Sequence, residues 1–288
     1  MNSRSHFLPL LAILGSVTFL AVGTSWAKHT LFPLVGAQGT TAVRVGFSVL
    51  ILLLLSRPWR HPLSGRDAKT VAIYGLALGA MNLAFYMALR TIPFGIAVAI
   101  EFSGPLTVAL MSSRRPIDFV WIALAAAGLA LLLPLGGSSP GGLDPVGLMF
   151  ALLAAVFWGT YIVFGKRASH LQGGLPVSLG LVVAALLVVP VGVAHAGGAL
   201  LSPVVLIVGA AVALLSSAIP ISLEMAALKR LSPQSFGIML SLEPAVAAIL
   251  AMAMLNEHLS LVQWSAIGLI VMASMGSSSS PAPSGAPA

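Results

Sequence analysis

Of the 288 residues only 7% are Asp, Glu, Lys or Arg, and 58% are hydrophobic, whereas a soluble domain is roughly 25% charged. With a mean hydropathy of +1.04, the chain can neither cover a water-exposed surface nor remain disordered, so the bilayer is its solvent. The lack of cysteine excludes disulfides, thiolate metal sites and a cysteine nucleophile, and the net charge of +7 is dispersed between apolar runs instead of forming a patch for nucleic acid.

A membrane-crossing helix takes about 20 mostly apolar residues. In chain order the runs of that kind are Phe7–Ala27, Gln38–Ser56, Thr70–Leu89, Pro93–Ser112, Ile117–Leu135, Val146–Gly165, Pro176–His195, Pro203–Glu224, Gln234–Leu255 and Ser260–Gly276. The first, preceded by Arg4 and ending in Ser25-Trp26-Ala27, has the outline of a signal peptide. Its apolar stretch exceeds the ~7–15 residues of a signal core, so it is read as a retained helix. The reading is an all-α integral membrane protein of ten transmembrane helices. Residues 277–288, SSSSPAPSGAPA, read as a disordered tail.

Lys and Arg mark the cytoplasmic side. With the N-terminus inside, the inner segments hold Arg4, Arg57, Arg60, Arg66, Lys69, Arg114, Arg115, Lys166, Arg167, Lys229 and Arg230, and the outer loops hold Lys28 and Arg90. The expected location is the bacterial inner membrane, multi-pass, with both termini cytoplasmic. Trp59 and Trp121 fall near inner-face ends and read as interfacial anchors.

The chain matches itself weakly. Ala88-Leu89-Arg90 falls on Ala227-Leu228-Lys229, Ile92 on Leu231 and Pro105 on Pro244. In each copy a basic turn precedes a proline (Pro93, Pro233) that opens a helix carrying a glutamate and a second proline. Gly23-Thr24 and Gly159-Thr160 form another shared pair. Two five-helix repeats, residues 7–136 and 146–276, account for this. Because five is odd, the second enters the membrane from the opposite side. Inverted repeats with helices broken at matching positions are a transporter architecture with a midplane site. Pro105, Pro244 and Pro220 are the expected helix-break or gating positions, since proline removes a backbone hydrogen bond and frees carbonyls.

Four ionisable residues fall inside spans: Arg44, Glu101, Glu224 and Glu243. Each costs ~2.5–3.5 kcal/mol at the bilayer centre, which makes it a functional candidate. Arg44 has a structural ion pair as its alternative role, and Glu224 a snorkelled carboxylate near Lys229. One cation cannot neutralise three carboxylates, and a carboxyl in an apolar site favours its protonated form. Such a group can exchange a proton for a cationic substrate group. Polar stripes on the spans point the same way: Asn82, Tyr86 and Arg90; Trp158, Tyr161 and Gly165; Ser217, Pro220 and Glu224. Gly15, Thr18, Val22 and Ser25 form a stripe of small residues that serves helix packing equally well. Five histidines (His6, His29, His61, His170, His258) fall in tails or loops and His195 at a helix end, without ligand spacing, so no metal is expected. Hydrolase, zinc-protease and P-loop motifs are absent, and the chain is not read as an enzyme.

The strings LFPLVGA (Leu31–Ala37), GIAVAIEFSGPL (Gly95–Leu106), SSRRPIDFVW (Ser112–Trp121), PISLEMAALKRL (Pro220–Leu231) and FGIMLSLEPAVAA (Phe236–Ala248) resemble the EamA-type branch of the drug/metabolite transporter superfamily. The resemblance runs over about residues 7–276. It implies export of small amino acids, threonine and homoserine foremost, driven by the proton gradient, with no cofactor. It also implies a central cavity lined by helices one, three, four, six, eight and nine, which carry Thr24, Asn82, Tyr86, Glu101, Trp158, Tyr161, Glu224 and Glu243; Arg44, on helix two, falls outside that set. The partners expected are a small amino-acid substrate and the lipid bilayer, with no nucleic acid. Monomer and homodimer both remain open, as do a broad metabolite or drug exporter of the same fold and a passive pore.

Overall fold

The computed structural model describes residues 4–58, 63–111, 116–132, 143–168, 170–171, 175–228 and 239–279. Trp59, Arg60, His61, Arg114, Arg115, Lys229, Arg230, Pro233 and the tail beyond Ser279 lie outside the described residues. All regular structure among the described residues is helical. The helices are α1 (Arg4–Thr30), α2 (Phe32–Ser56), α3 (Gly65–Ala88), α4 (Phe94–Glu101), α5 (Ser103–Met111), α6 (Pro116–Leu132), α7 (Pro145–Arg167), α8 (Leu175–Ala196), α9 (Pro203–Ala213), α10 (Ile219–Leu228), α11 (Glu243–Leu255) and α12 (Leu261–Ser279). A short 3-10 turn (Gly197–Leu201) joins α8 to α9, and a π-helical turn (Leu214–Ala218) joins α9 to α10.

Among the described residues five helices are long and apolar enough to cross a membrane: Leu11–Thr30, Phe32–Ser56, Gly65–Ala88, Pro145–Arg167 and Leu175–Leu201. The shorter apolar stretches Phe94–Val108, Phe119–Leu132, Pro203–Ala218, Glu243–Leu255 and Leu261–Gly276 fall on the other predicted runs. In hydrocarbon only a helix or a closed barrel satisfies its own backbone, so apolar runs of this length fold as helices. The outward faces are apolar too: Leu54, Leu186, Ile207 and Phe119 are each more than two-thirds exposed. A surface of this kind needs lipid to cover it.

Several boundaries differ from those read in the sequence. The first predicted loop is largely helical, because α1 runs to Thr30 and α2 starts at Phe32. The chain turns instead at Gly36 (φ 68°, ψ −178°), close to the predicted start at Gln38. That φ favours glycine, and a Cβ there would lie 2.7 Å from His195 Nε2 in the last turn of α8. His6, His29 and Lys28, expected outside helices, lie within α1. Span four is two helices parted at Phe102, three residues ahead of Pro105. The offset has a simple cause: the N–H that Pro105 lacks is the one that would bond the carbonyl of Glu101.

The helices pack as a bundle. α3 lies on α7 and α8, α2 on α8 and α9, α6 on α12, α1 on α10 and α11, and α4 on α11 and α7. Small residues permit the closest approaches: a side chain on Gly104 of α5 would collide with the carbonyl of Ala155 on α7. Trp121 is one of these packing elements: its ring occupies the space a Cβ on Gly276 of α12 would need, and its Nε1 is buried without a hydrogen-bond partner among the described residues. Thr18 faces outward, its hydroxyl returned to the carbonyl of Leu14, whereas Ser25 of the same small-residue stripe is fully buried. The inward side of α1 is carried by Ser16 and Thr24, both buried.

Candidate functional site

The bundle encloses a cavity of about 370 Å³, within the range of small-molecule sites. Thr24 of α1, Arg44 of α2, Asn82 of α3, Glu101 of α4, Pro105 of α5, Trp158 and Tyr161 of α7, Glu224 of α10 and Glu243 of α11 all line it. Much of the remaining wall is apolar, including Val17, Leu20, Met81, Phe85, Phe94, Val98 and Ala247. Tyr86, Pro220 and Pro244 do not line it. Tyr86 is fully buried and its ring lies 5.5 Å from the Arg44 guanidinium carbon, a cation–π support.

Arg44 is the one cation lining the cavity among the described residues. The structural ion pair does not form: the salt bridges among the described residues are Lys28–Glu257 and His170–Asp67. Neutral groups hold the guanidinium instead. Nε donates to Ser216 Oγ (2.7 Å), Nη2 to the Ser216 carbonyl (3.0 Å) and Nη1 to Asn82 Oδ1 (2.7 Å). Asn82 is itself fixed, its Nδ2 donating to the carbonyl of Leu78 at 2.9 Å. The expectation that Arg44 stands outside the cavity helices is therefore corrected. α2 packs on α9 and touches the π-helical turn, which brings the long Arg44 side chain to the cavity wall.

The three carboxylates are held differently. Glu224 accepts a hydrogen bond from Ser16 Oγ at 2.7 Å, across from α1, and is not a free snorkelling acid. Glu101, at the end of α4, is only 8% exposed. Glu243 opens α11, with Pro244 next to it in the first turn, where a helix N-terminus favours negative charge. Neither Glu101 nor Glu243 takes a hydrogen bond from a described residue, and Arg44 forms no ion pair with them. Charges buried in this way are costly unless something neutralises them.

Serines and one acid escaped the sequence reading. Ser216 and Ser16 supply the bonds that fix Arg44 and Glu224; the spacing Ser216-x-x-x-Pro220 was the available signal, because a proline frees the carbonyl four residues before it. Tyr74 stacks on Tyr161 at 4.7 Å between ring centroids. Glu257, in the turn after α11, lies outside the cavity: Oε1 pairs with Lys28 Nζ at 2.6 Å, and Oε2 accepts from the backbone N–H of Phe94 at 2.7 Å. It ties the ends of α1 and α11 to the start of α4. Arg90, placed on the Asn82 stripe, lies beyond α3 in an exposed turn.

The EamA-like transporter family model matches residues 145–279. Over 271 residues the chain is 47% identical to the threonine/homoserine exporter RhtA of Escherichia coli (strain K12), covering 94% of this chain and 91% of that one. The chain belongs to the EamA-like transporter family. The RhtA protein of Salmonella typhimurium (strain LT2) is 46% identical over the same share of both chains. A more distant relative is the uncharacterized inner membrane transporter YedA of Escherichia coli (strain K12), 29% identical over 82% of this chain and 78% of that one. A crystal structure 21% identical covers 96% of both chains with a TM-score of 0.54, which establishes that this EamA-like transporter shares its fold. The helical, lipid-facing bundle is thus that of a multi-pass membrane transporter.

Proposed function

We propose that the chain is an inner-membrane secondary transporter that exports threonine, homoserine and related small amino acids in exchange for protons. The substrate assignment is supported by the 47% identity to RhtA over nearly the whole chain, and the membrane by the similarity to the inner membrane transporter YedA. The observation that carries the mechanism is one cavity lined both by an arginine and by two glutamates, Glu101 and Glu243, that form no ion pair with a described residue. A zwitterion supplies the missing partners: its carboxylate meets the Arg44 guanidinium, and its ammonium meets Glu101 or Glu243. Thr24, Asn82 and Tyr161 offer partners for a side-chain hydroxyl, and Trp158 closes the apolar wall.

A protonated glutamate must give up its proton to bind an ammonium and takes another when the substrate leaves. That exclusion of one cation by the other is sufficient for antiport. Alternating access follows from two five-span halves in inverted orientation, residues 7–136 and 146–276. The packing supports this symmetry. Exchanging each span with its counterpart carries α3–α7 onto α1–α10, α3–α8 onto α2–α9, and α4–α7 onto α1–α11; α2–α8, α4–α11 and α6–α12 map onto themselves. The halves break at matching places, Phe102 before Pro105 and Leu242 before Pro244. Both termini are cytoplasmic in this arrangement, and no cofactor is required.

The test is efflux of radiolabelled threonine from loaded vesicles with and without a pH gradient. Uncoupler-sensitive export against a threonine gradient is expected. Downhill leakage insensitive to the gradient would leave a passive pore, and export of a cationic dye in place of threonine would leave a drug exporter.

A further inference from the structure

We propose that the π-helical turn ahead of Pro220 is a positioning device that presents Arg44 to the carboxylate of the substrate, with Ser216 as the positioning residue. This deepens, and rests on, the reading that the cavity takes an amino acid.

In a regular α-helix the carbonyl of Ser216 would accept from the N–H of residue 220. Proline has none. The helix also changes its hydrogen-bond spacing here, since the N–H of Ile219 reaches back five residues to the carbonyl of Leu214. π-helical turns of this sort cluster at functional sites. The Ser216 carbonyl so freed accepts from Arg44 Nη2 at 3.0 Å. Its hydroxyl completes the grip: Oγ donates to the carbonyl of Val212 (2.7 Å), which leaves its lone pairs for Arg44 Nε (2.7 Å). One residue therefore takes two of the five guanidinium N–H groups, and Asn82 takes a third. Two remain, one on each Nη, at the cavity wall. Paired N–H donors on a planar, immobilised guanidinium match a carboxylate.

Other residues serve the same grip. Gly23 of α1 faces the turn, and a Cβ there would lie 3.0 Å from Ser216 Cβ and N. Ser16 Oγ is 3.2 Å from the carbonyl of Pro220.

Pro220→Ala tests the device without removing any group from the cavity, because alanine supplies the missing N–H and is a better helix former. Half-saturating concentrations are measured in loaded vesicles for threonine, and for threoninol as a competitor; threoninol keeps the amine and hydroxyl but lacks the carboxylate. Half-saturation for threonine should rise about tenfold, as for loss of one charge-assisted contact. The maximal rate should stay within about twofold and threoninol should be unaffected, since only binding is touched. Ser216→Ala should shift threonine in the same direction. A merely structural role would lower the maximal rate and move both compounds together, and that result, or an unchanged threonine value, overturns the inference. Wild-type vesicles that carry no amino acid overturn the functional reading and this inference with it. Wild-type transport with a parallel shift in Pro220→Ala overturns the inference alone.

Discussion

Glu257 and Glu101 stand at opposite extremes of the few acids in this chain. Glu257 lies at the end of the bundle, with one oxygen on Lys28 and the other on the Phe94 N–H. Glu101 lies in the cavity wall with no hydrogen bond from a described residue. The first has every partner it needs from the protein, and so holds helices together. The second has neither hydrogen bond nor ion pair with a described residue, and so is available to something that enters and leaves. Arg44 shows that the distinction is not one of sign: it too lacks an ionic partner, although neutral groups aim it. Held charges build the frame, and on the proposed function the unpaired ones meet the substrate.

Neutralising one member of each class sharpens this comparison. The largest effect is expected at Glu101→Gln, which should abolish export driven by a pH gradient; residual gradient dependence in vesicles would remove Glu101 from the coupling step. Arg44→Met comes next. Loss of a buried charge contact of ~2–3 kcal/mol should raise half-saturation for threonine about 30- to 150-fold, read as efflux against internal threonine concentration. At the paired end the effect is smaller. Lys28 and Glu257 are 21% and 14% exposed, so Lys28→Met should cost about 1 kcal/mol of stability and leave threonine half-saturation unchanged. The exchange Lys28→Glu with Glu257→Lys should recover only part of that loss in a thermal unfolding assay, because a lysine at 257 cannot accept from Phe94.

The smallest effect is expected at Asp144, another acid held by the protein's own donors, at the start of α7. The Gly147 N–H and the Thr91 hydroxyl hold its carboxyl below the usual 3.8. A folded-state value below the unfolded one stabilises at pH above the unfolded value, and the contribution disappears as pH falls through the folded one. Unfolding temperatures between pH 7 and pH 3 should therefore fall slightly less steeply for Asp144→Asn than for the unaltered chain.

The membrane helices were legible because lipid leaves the backbone few options, and length and hydropathy are sufficient to read them. The cavity acids were legible because charge inside an apolar run is costly. Other features depend on contacts between distant segments. Nothing local marks Ser16 among serines that serve equally well in packing, and for Ser216 the spacing to Pro220 marks a freed carbonyl but not its partner; those partners lie on α2 and α10. The packing of Trp121 is likewise visible only in the fold, where Gly276 of α12 opens a slot for its ring. The break at Phe102 was legible as a proline effect but displaced, because Pro105 acts on the turn before it. Arg44 is a candidate on charge alone, and only the helix set implied by the resemblance leaves it out, because helix number says nothing of how far a long side chain reaches.

The Lys28–Glu257–Phe94 contact also has a consequence for turnover. One carboxylate clasps three segments, so that end can part only by surrendering an ion pair that water and ions partly reach. Mobile electrolyte weakens such a pair. Added salt on that side should accordingly quicken any step in which those segments separate, and Lys28→Met should make the same step indifferent to ionic strength.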